Sequence, residues 1–186
     1  MDQRTFVERA QKGDRDAFAV LARAAASRLD AAARLITRDR DVARDAVQEA
    51  LIRAWRDLPG LRDPDRFDAW LHRLTVNASI DEFRRRRRRV IEVAATPIDM
   101  PAPQDAYAIL ADRDALDQAL GQLAPEHRAL VVLHYYFGMP LPEAAASLGI
   151  SLGAAKSRLH RAMGSLRVAF GMETTEAREP VRGGQA

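Results

Sequence analysis

The sequence predicts an all-α protein made of two small helical domains joined by a flexible linker, the second a helix-turn-helix domain. Three observations carry this. Alanine and leucine supply much of a hydrophobic fraction of 47%, while aromatics are only 6%, a balance that favours helix over strand. Apolar residues recur at helical spacing through every long segment. Pro97, Pro101 and Pro103 fall within seven residues, where no helix persists. They sit in a segment of about fifteen residues, and a structureless stretch of that length inside one domain would be unusual. The expected division is therefore a first domain over 1–90, a linker over 91–104, a second domain over 105–170 and a disordered tail over 171–186.

The first domain opens on a short helix, residues 2–11, stopped near Gly13. Asp14 has the chemistry of a cap for the next helix. In that helix Phe18, Leu21, Ala22, Ala25, Leu29, Ala32, Ala33 and Ile36 make one core-facing stripe. A third helix starts near Asp41. Its apolar face is Val42, Ala46, Val47, Ala50, Leu51, Ala54 and Trp55, and its other side carries Asp45, Gln48, Glu49, Ile52, Arg53 and Arg56. Ile52 is out of place there. On pattern alone a solvated face with one stray apolar residue is the simpler account; the alternative is a surface buried in a complex.

Residues 58–65 contain Pro59, Gly60, Asp63 and Pro64 and read as a loop, with Asp65 as cap of the fourth helix. Phe67, Trp70, Leu71, Leu74 and Ala78 form the buried stripe of that helix. Asn77, Asp81, Arg84 and Arg88 project together on another face. The helix ends in six consecutive arginines, 84–89. Like charges in such density repel, and phosphates neutralise them best.

In the second domain Ile109, Leu110, Leu116, Ala119, Leu120 and Leu123 mark one helix. Pro125 opens another that ends at Gly138. The segment LPEAAASLGISLGAAKSRLHRAMGSLR then pairs a short helix, 142–148, with a longer one that Ser151 caps and that runs to about Val168. Ala145 permits close approach, and Gly149 supplies the positive φ of the tight turn. Leu148, Ile150, Ala155 and Leu159 pack the pair. The longer helix presents Lys156, Ser157, His160 and Arg161, with Arg158 alongside, which are donors suited to base edges and phosphates in a major groove.

Composition also excludes chemistry. There are no cysteines, so disulfides, thiolate metal sites and cysteine nucleophiles are absent. The histidines at 72, 127, 134 and 160 lack metal-ligand spacing, and no glycine-rich phosphate loop is present. No catalytic residue, metal or cofactor is expected. The N-terminal stretch has no signal-peptide core, and the longest apolar run, 129–141, is broken by His134, Gly138 and Pro140. No membrane insertion and a cytoplasmic location are expected. Net charge is +3 and the pI is 9.8; the arginine run and a second group (Lys156, Arg158, Arg161, Arg167) fit two contacts with a polyanion.

DAVQEALIRAW, then FDAWLHRLTVNASIDEFRRRRR, a proline-rich linker and LPEAAASLGISLGAAKSRLHRA together resemble the extracytoplasmic-function (ECF) sigma factors of the sigma-70 family, the short type with only the second and fourth domains. The likeness covers roughly residues 5–168. It implies a non-enzymatic subunit that binds core bacterial RNA polymerase and directs promoter-specific initiation. Asp45, Gln48, Glu49, Ile52 and Arg53 would sit on the beta-prime clamp helices, and the second domain would meet the beta flap. Leu61, Arg62 and Asp63 would capture a flipped minus-ten base, and Asn77, Asp81, Arg84, Arg85 and Arg88 would contact DNA at the opening fork. Lys156, Ser157, Arg158, His160 and Arg161 would read the minus-thirty-five duplex. An anti-sigma factor is the further partner implied. Two departures, Ala43-Arg44 before the DxxQ core and Gly153-Ala154 opening the reading helix, bear on capping and partner preference. The competing readings are a conventional helix-turn-helix regulator acting without polymerase and a helical adaptor with no DNA role.

Overall fold

A computed structural model describes residues 2–93 and 118–169, and every regular element among them is helical. The predicted tail and most of the predicted linker lie outside the described residues.

Capping chemistry sets the first helices. The Asp2 carboxylate accepts from the Thr5 amide and starts α1, Gln3–Gln11; Gly13 turns the chain at φ 90, and Asp14 accepts from Ala17 to start α2, Arg15–Thr37. Each such cap is worth about 1 kcal/mol. α2 stops at Arg38, which takes a left-handed φ of 55. The Asp39 carboxylate then accepts from the Asp41 and Val42 amides and opens α3, Arg40–Asp57. Two 3-10 turns, Leu58–Gly60 and Pro64–Arg66, lead into α4, Phe67–Val93. The cap before this last helix is Asp63, bonded to the Asp65 amide at 3.0 Å, and not Asp65. Pro64 is the reason: it fills the first position of the turn, where its missing N–H costs nothing, so the cap falls on Asp63, two residues before Asp65. Asp65 pairs with Arg4 instead. α4 continues through the arginine run and beyond 90, where the linker was expected to begin.

The first unit packs α1, α2, α3 and the start of α4 around Val7, Leu21, Leu29, Ala54, Leu58, Phe67 and Leu71. In the second, a helical stretch at 118–121 precedes α5, Pro125–Val131, which passes into a π turn, Val132–Tyr136, and stops at Gly138, φ 70. α6, Leu141–Ser147, and α7, Leu152–Ala169, follow. Gly149 has φ 65, Ala145 is 2% exposed, and the Ser151 hydroxyl accepts from Ala154 at 3.2 Å. The predicted turn chemistry is thus in place.

The two units share a core. Ala32, Ile36, Val76 and Ile80 pack in one cluster with Ala129, Leu130, Val132, Leu133, Ala144 and Ala155. Each large aliphatic side chain so buried contributes about 1.5–3 kcal/mol. Above this seam the His72 ring stacks on Phe137, centroids 3.7 Å apart and 12° from parallel. Burial first, then the Arg28 charge, lowers the His72 pKa to about 4, so the ring is neutral near pH 7.

Candidate nucleic-acid and partner interfaces

Three surfaces emerge from these helices. The first lies on α3 and the facing side of α2. Phe18, Ala26, Asp30, Arg44, Val47, Gln48, Leu51, Ile52 and Trp55 line an open groove of about 540 Å³. Phe18 and Trp55 form its aromatic wall, with ring centroids 5.1 Å apart. Ile52 is 54% exposed at its rim. Of the residues expected to grip polymerase, Gln48 and Ile52 lie on this groove. Asp45 is exposed further along α3. Glu49 and Arg53 sit on the neighbouring side: Arg53 donates to Glu49 at 2.7 Å and to Asp81 of α4 at 3.4 Å. The Glu49 bond raises the Arg53 pKa above its ordinary value, against the effect of burial, and Asp81 adds to it. The sequence places Val47, Leu51 and Trp55 on the apolar face of α3. They are only half-buried and line the groove with Ala26 of α2. The available signal is Ala26, a small residue on the α2 side of the groove that covers little of the apolar surface across it.

The second surface is the loop and outer face of α4. Arg62 and Asp63 are exposed and Leu61 half-buried. Asp63 keeps one carboxylate oxygen on the Asp65 amide, and Gln11 fixes the loop by donating to the carbonyls of Leu61 at 2.7 Å and Leu58 at 3.3 Å. Gln11 has no part in the sequence-based reading; nothing local marks a side chain that acts across 50 residues of chain. Asn77 and Asp81 are half-buried, and Arg84, Arg85 and Arg88 are exposed. Arg84 binds Glu126 of the second unit at 2.8 Å, and Arg85 pairs with Glu82 on its own helix.

The third surface is α7. Lys156, Ser157, His160 and Arg161 are exposed, as their spacing predicts. Arg158 differs. It is half-buried and turns into a cleft of about 500 Å³ between the units, shared with Arg53, Asn77, Asp81, Arg84 and Glu126. Burial, followed by the Arg161 and Arg158 charges, lowers the pKa of His127 nearby.

Two family models match these regions. The model described as Sigma-70 region 2 matches residues 21–89, and that described as Sigma-70, region 4 matches 113–166. The ECF RNA polymerase sigma factor SigL of Mycobacterium tuberculosis is 39% identical over 138 residues, which are 72% of this chain and 77% of the relative. The chain belongs to the ECF sigma factors of the sigma-70 family. A second relative, the ECF RNA polymerase sigma factor SigE of Mycolicibacterium smegmatis, is 38% identical over 130 residues, 67% of this sigma factor but only 50% of the relative. Among solved structures, CnrH in complex with the cytosolic domain of CnrY matches with TM-score 0.64 and 31% identity, covering 92% of this chain and 99% of that one. The sigma factor RpoE of Bartonella quintana, in complex with the anti-sigma factor NepR, matches with TM-score 0.66 and 28% identity, covering 78% and 91%. The region 2 match contains the α4 face and, apart from Phe18, the groove lining of this sigma factor, and the region 4 match contains its helix-turn-helix up to residue 166. Among the described residues no helix is long and apolar enough to cross a membrane.

Proposed function

We propose that this sigma factor binds core RNA polymerase through the α3 groove, opens minus-ten DNA with the 61–63 loop and the α4 face, and reads minus-thirty-five duplex with α7. The observation that carries the reading is Ile52, a large apolar side chain 54% exposed beside an aromatic-walled groove. A monomer gains nothing from such a feature; a partner helix that covers Ile52, Leu51 and Trp55 does. On this reading a protein helix, such as a beta-prime clamp helix, is the occupant. Asp45 and Gln48 flank it with hydrogen-bonding groups, and Glu49 and Arg53 brace the α3 edge against α4.

The division of labour follows from chemistry. Reading duplex requires a rigid helix in a groove, which α7 supplies with Lys156, Ser157, His160 and Arg161. Melting requires a site for an unstacked base, because unpairing costs a few kcal/mol that contacts must offset. The pinned 61–63 loop suits that role, and Asn77, Asp81, Arg84, Arg85 and Arg88 suit the adjacent fork. The beta flap is the expected contact of the second unit. Catalysis belongs to polymerase, so the chain acts as a non-enzymatic specificity subunit in the cytoplasm. An anti-sigma factor is the expected antagonist, as for the RpoE and NepR pair.

The test is core binding measured by fluorescence anisotropy. Ile52→Asp is expected to weaken binding to core polymerase at least roughly 30-fold, the size of an interface hot spot, with unchanged helix content and melting. Equal affinity for wild type and variant contradicts the assignment.

A further inference from the structure

We propose that Gln11 is a positioning residue for base selection: the last side chain of α1 holds the 61–63 loop in the conformation that fits one unstacked base better than the others. The proposal rests on the reading of that loop as the minus-ten capture site.

α1 grips the loop at both of its ends. On the entry side, Gln11 Nε2 donates to the carbonyl of Leu61 at 2.7 Å and to that of Leu58 at 3.3 Å. On the exit side, Arg4 binds Asp65 at 2.6 Å and Gln3 donates to Asp68 at 2.6 Å. Arg4, Val7 and Gln11 follow one another at steps of three and four, so they share one face of the helix. Val7 is fully buried in the cluster that contains Leu58 and Phe67, with Leu61 packed against it. The apolar contact sets the distance between helix and loop, and the polar contacts on either side of it set the register. Arg62 and Asp63 stand exposed between the two grips.

The grips are unequal. The contacts of Gln3 and Arg4 are exposed, where such pairs contribute little. Gln11 is half-buried and its acceptors are main-chain carbonyls. A bond to a side chain orients only that side chain, whereas bonds to two carbonyls fix the backbone turn between them. That turn leads directly to Asp63, one of whose carboxylate oxygens is held by the Asp65 amide, so the direction of the other oxygen follows the backbone path out of Leu61. A flipped base is told apart by a few hydrogen bonds to its edge. These discriminate only when the loop is already ordered; a loop that must be ordered on binding loses affinity for the matching base and meets the others about as well. α1 lies outside the region 2 match over 21–89, so this control over the loop comes from a segment separate from the matched fold.

Three substitutions separate the chemistry. Gln11→Ala removes the side chain, Gln11→Glu keeps its shape but turns an acceptor towards two carbonyls, and Gln11→Lys keeps only donors. Lys12→Gln, at the exposed neighbour, changes charge by the same amount as Gln11→Glu without facing the loop. The chain has no cysteines, so a single nitroxide at Arg62→Cys reports loop mobility in the full-length protein without DNA. Gln11→Ala and Gln11→Glu are expected to raise the mobile fraction at least about threefold, the size of a lost net hydrogen bond, and Gln11→Lys and Lys12→Gln to leave it near the wild-type level. The second reading uses each unlabelled variant bound to core polymerase. Affinity is measured for fork DNA carrying each of the four bases in turn along the minus-ten single strand, and Asp63→Ala marks the position that the loop reads. At that position the ratio of best to second-best base is expected to fall about fivefold in Gln11→Ala and Gln11→Glu and to survive in Gln11→Lys and Lys12→Gln. A ratio cancels the general effect of charge on DNA affinity. The proposal is overturned if loop mobility does not change, if Gln11→Lys fails to rescue, or if base preference falls equally at positions that Asp63→Ala leaves alone. It also falls if the Gln11 variants keep the full preference where Asp63→Ala flattens it, and the capture reading then stands. A wild type with no position sensitive to Asp63→Ala removes the capture reading itself, and this proposal with it.

Discussion

Ile52 and His72 are both apolar-surface residues of helices in the first unit, yet they do opposite things. Ile52 faces water at the rim of the α3 groove. His72 is 7% exposed and sealed under Phe137. The His72 ring is neutral in the fold with a pKa of about 4, against roughly 6.5 in an unfolded chain. The unfolded state therefore binds the extra proton between these values. Stability from this group is full above pH 6.5 and falls as pH drops towards 4. Thermal melts across that window are expected to show a falling Tm in the wild type and a flatter profile in His72→Phe, which keeps the stack and cannot protonate. Identical slopes would mean the ring does not titrate in this window. Asp14, whose carboxylate the Ala17 amide holds below its usual range, keeps its contribution through this window and loses it only at more acid pH. Glu49 makes a second residue-scale prediction. Glu49→Arg removes the partner of Arg53 and is expected to weaken core binding at least tenfold while costing the isolated fold no more than about 1 kcal/mol. A large drop in Tm with normal core affinity would give Glu49 a structural role only.

At the scale of the element, α7 and its turn carry the sharpest expectations. Gly149 sits at φ 65, where a Cβ is strained, so Gly149→Ala is expected to cost about 1–2 kcal/mol and to show as a lower Tm. Lys156→Ala and Arg161→Ala leave the helix intact, because both side chains are exposed. Each is expected to weaken minus-thirty-five binding by roughly 1–3 kcal/mol if it makes a bidentate base contact. The discriminating comparison is scrambled duplex: an equal loss there assigns the residue to phosphate. Arg158 separates from this group because it lies on the side of α7 that faces α4, so Arg158→Ala is expected to change the inter-unit seam before it changes duplex reading.

For the whole molecule, the pattern of what was readable follows from the range of the interactions. Caps, turns and stripes are local, and Asp14, Gly138, Gly149 and Ser151 all stand where their chemistry demands. So do the outward Lys156, Ser157, His160 and Arg161. The miss at Asp63 against Asp65 is also local and traces to Pro64. The larger misses are long-range. Val76 and Ile80 fall outside the stripe read for α4, because that helix packs on two sides, one towards α3 and one towards the second unit. A single-helix periodicity registers one dominant face, so the second face, and with it the shared core, was invisible. For the same reason the apolar face of α3 does not show how far Val47, Leu51 and Trp55 are covered: the pattern shows that they are apolar, and only the fold shows that they are half-buried on a groove.

The central claim is that this chain gives core polymerase its promoter choice. The most direct measurement is transcription from genomic fragments by purified core polymerase with and without the protein, with RNA 5′ ends mapped. The account predicts discrete start sites, absent with core alone, that share two sequence elements at fixed spacing and disappear with Ile52→Asp. Start sites identical with and without the protein would contradict it.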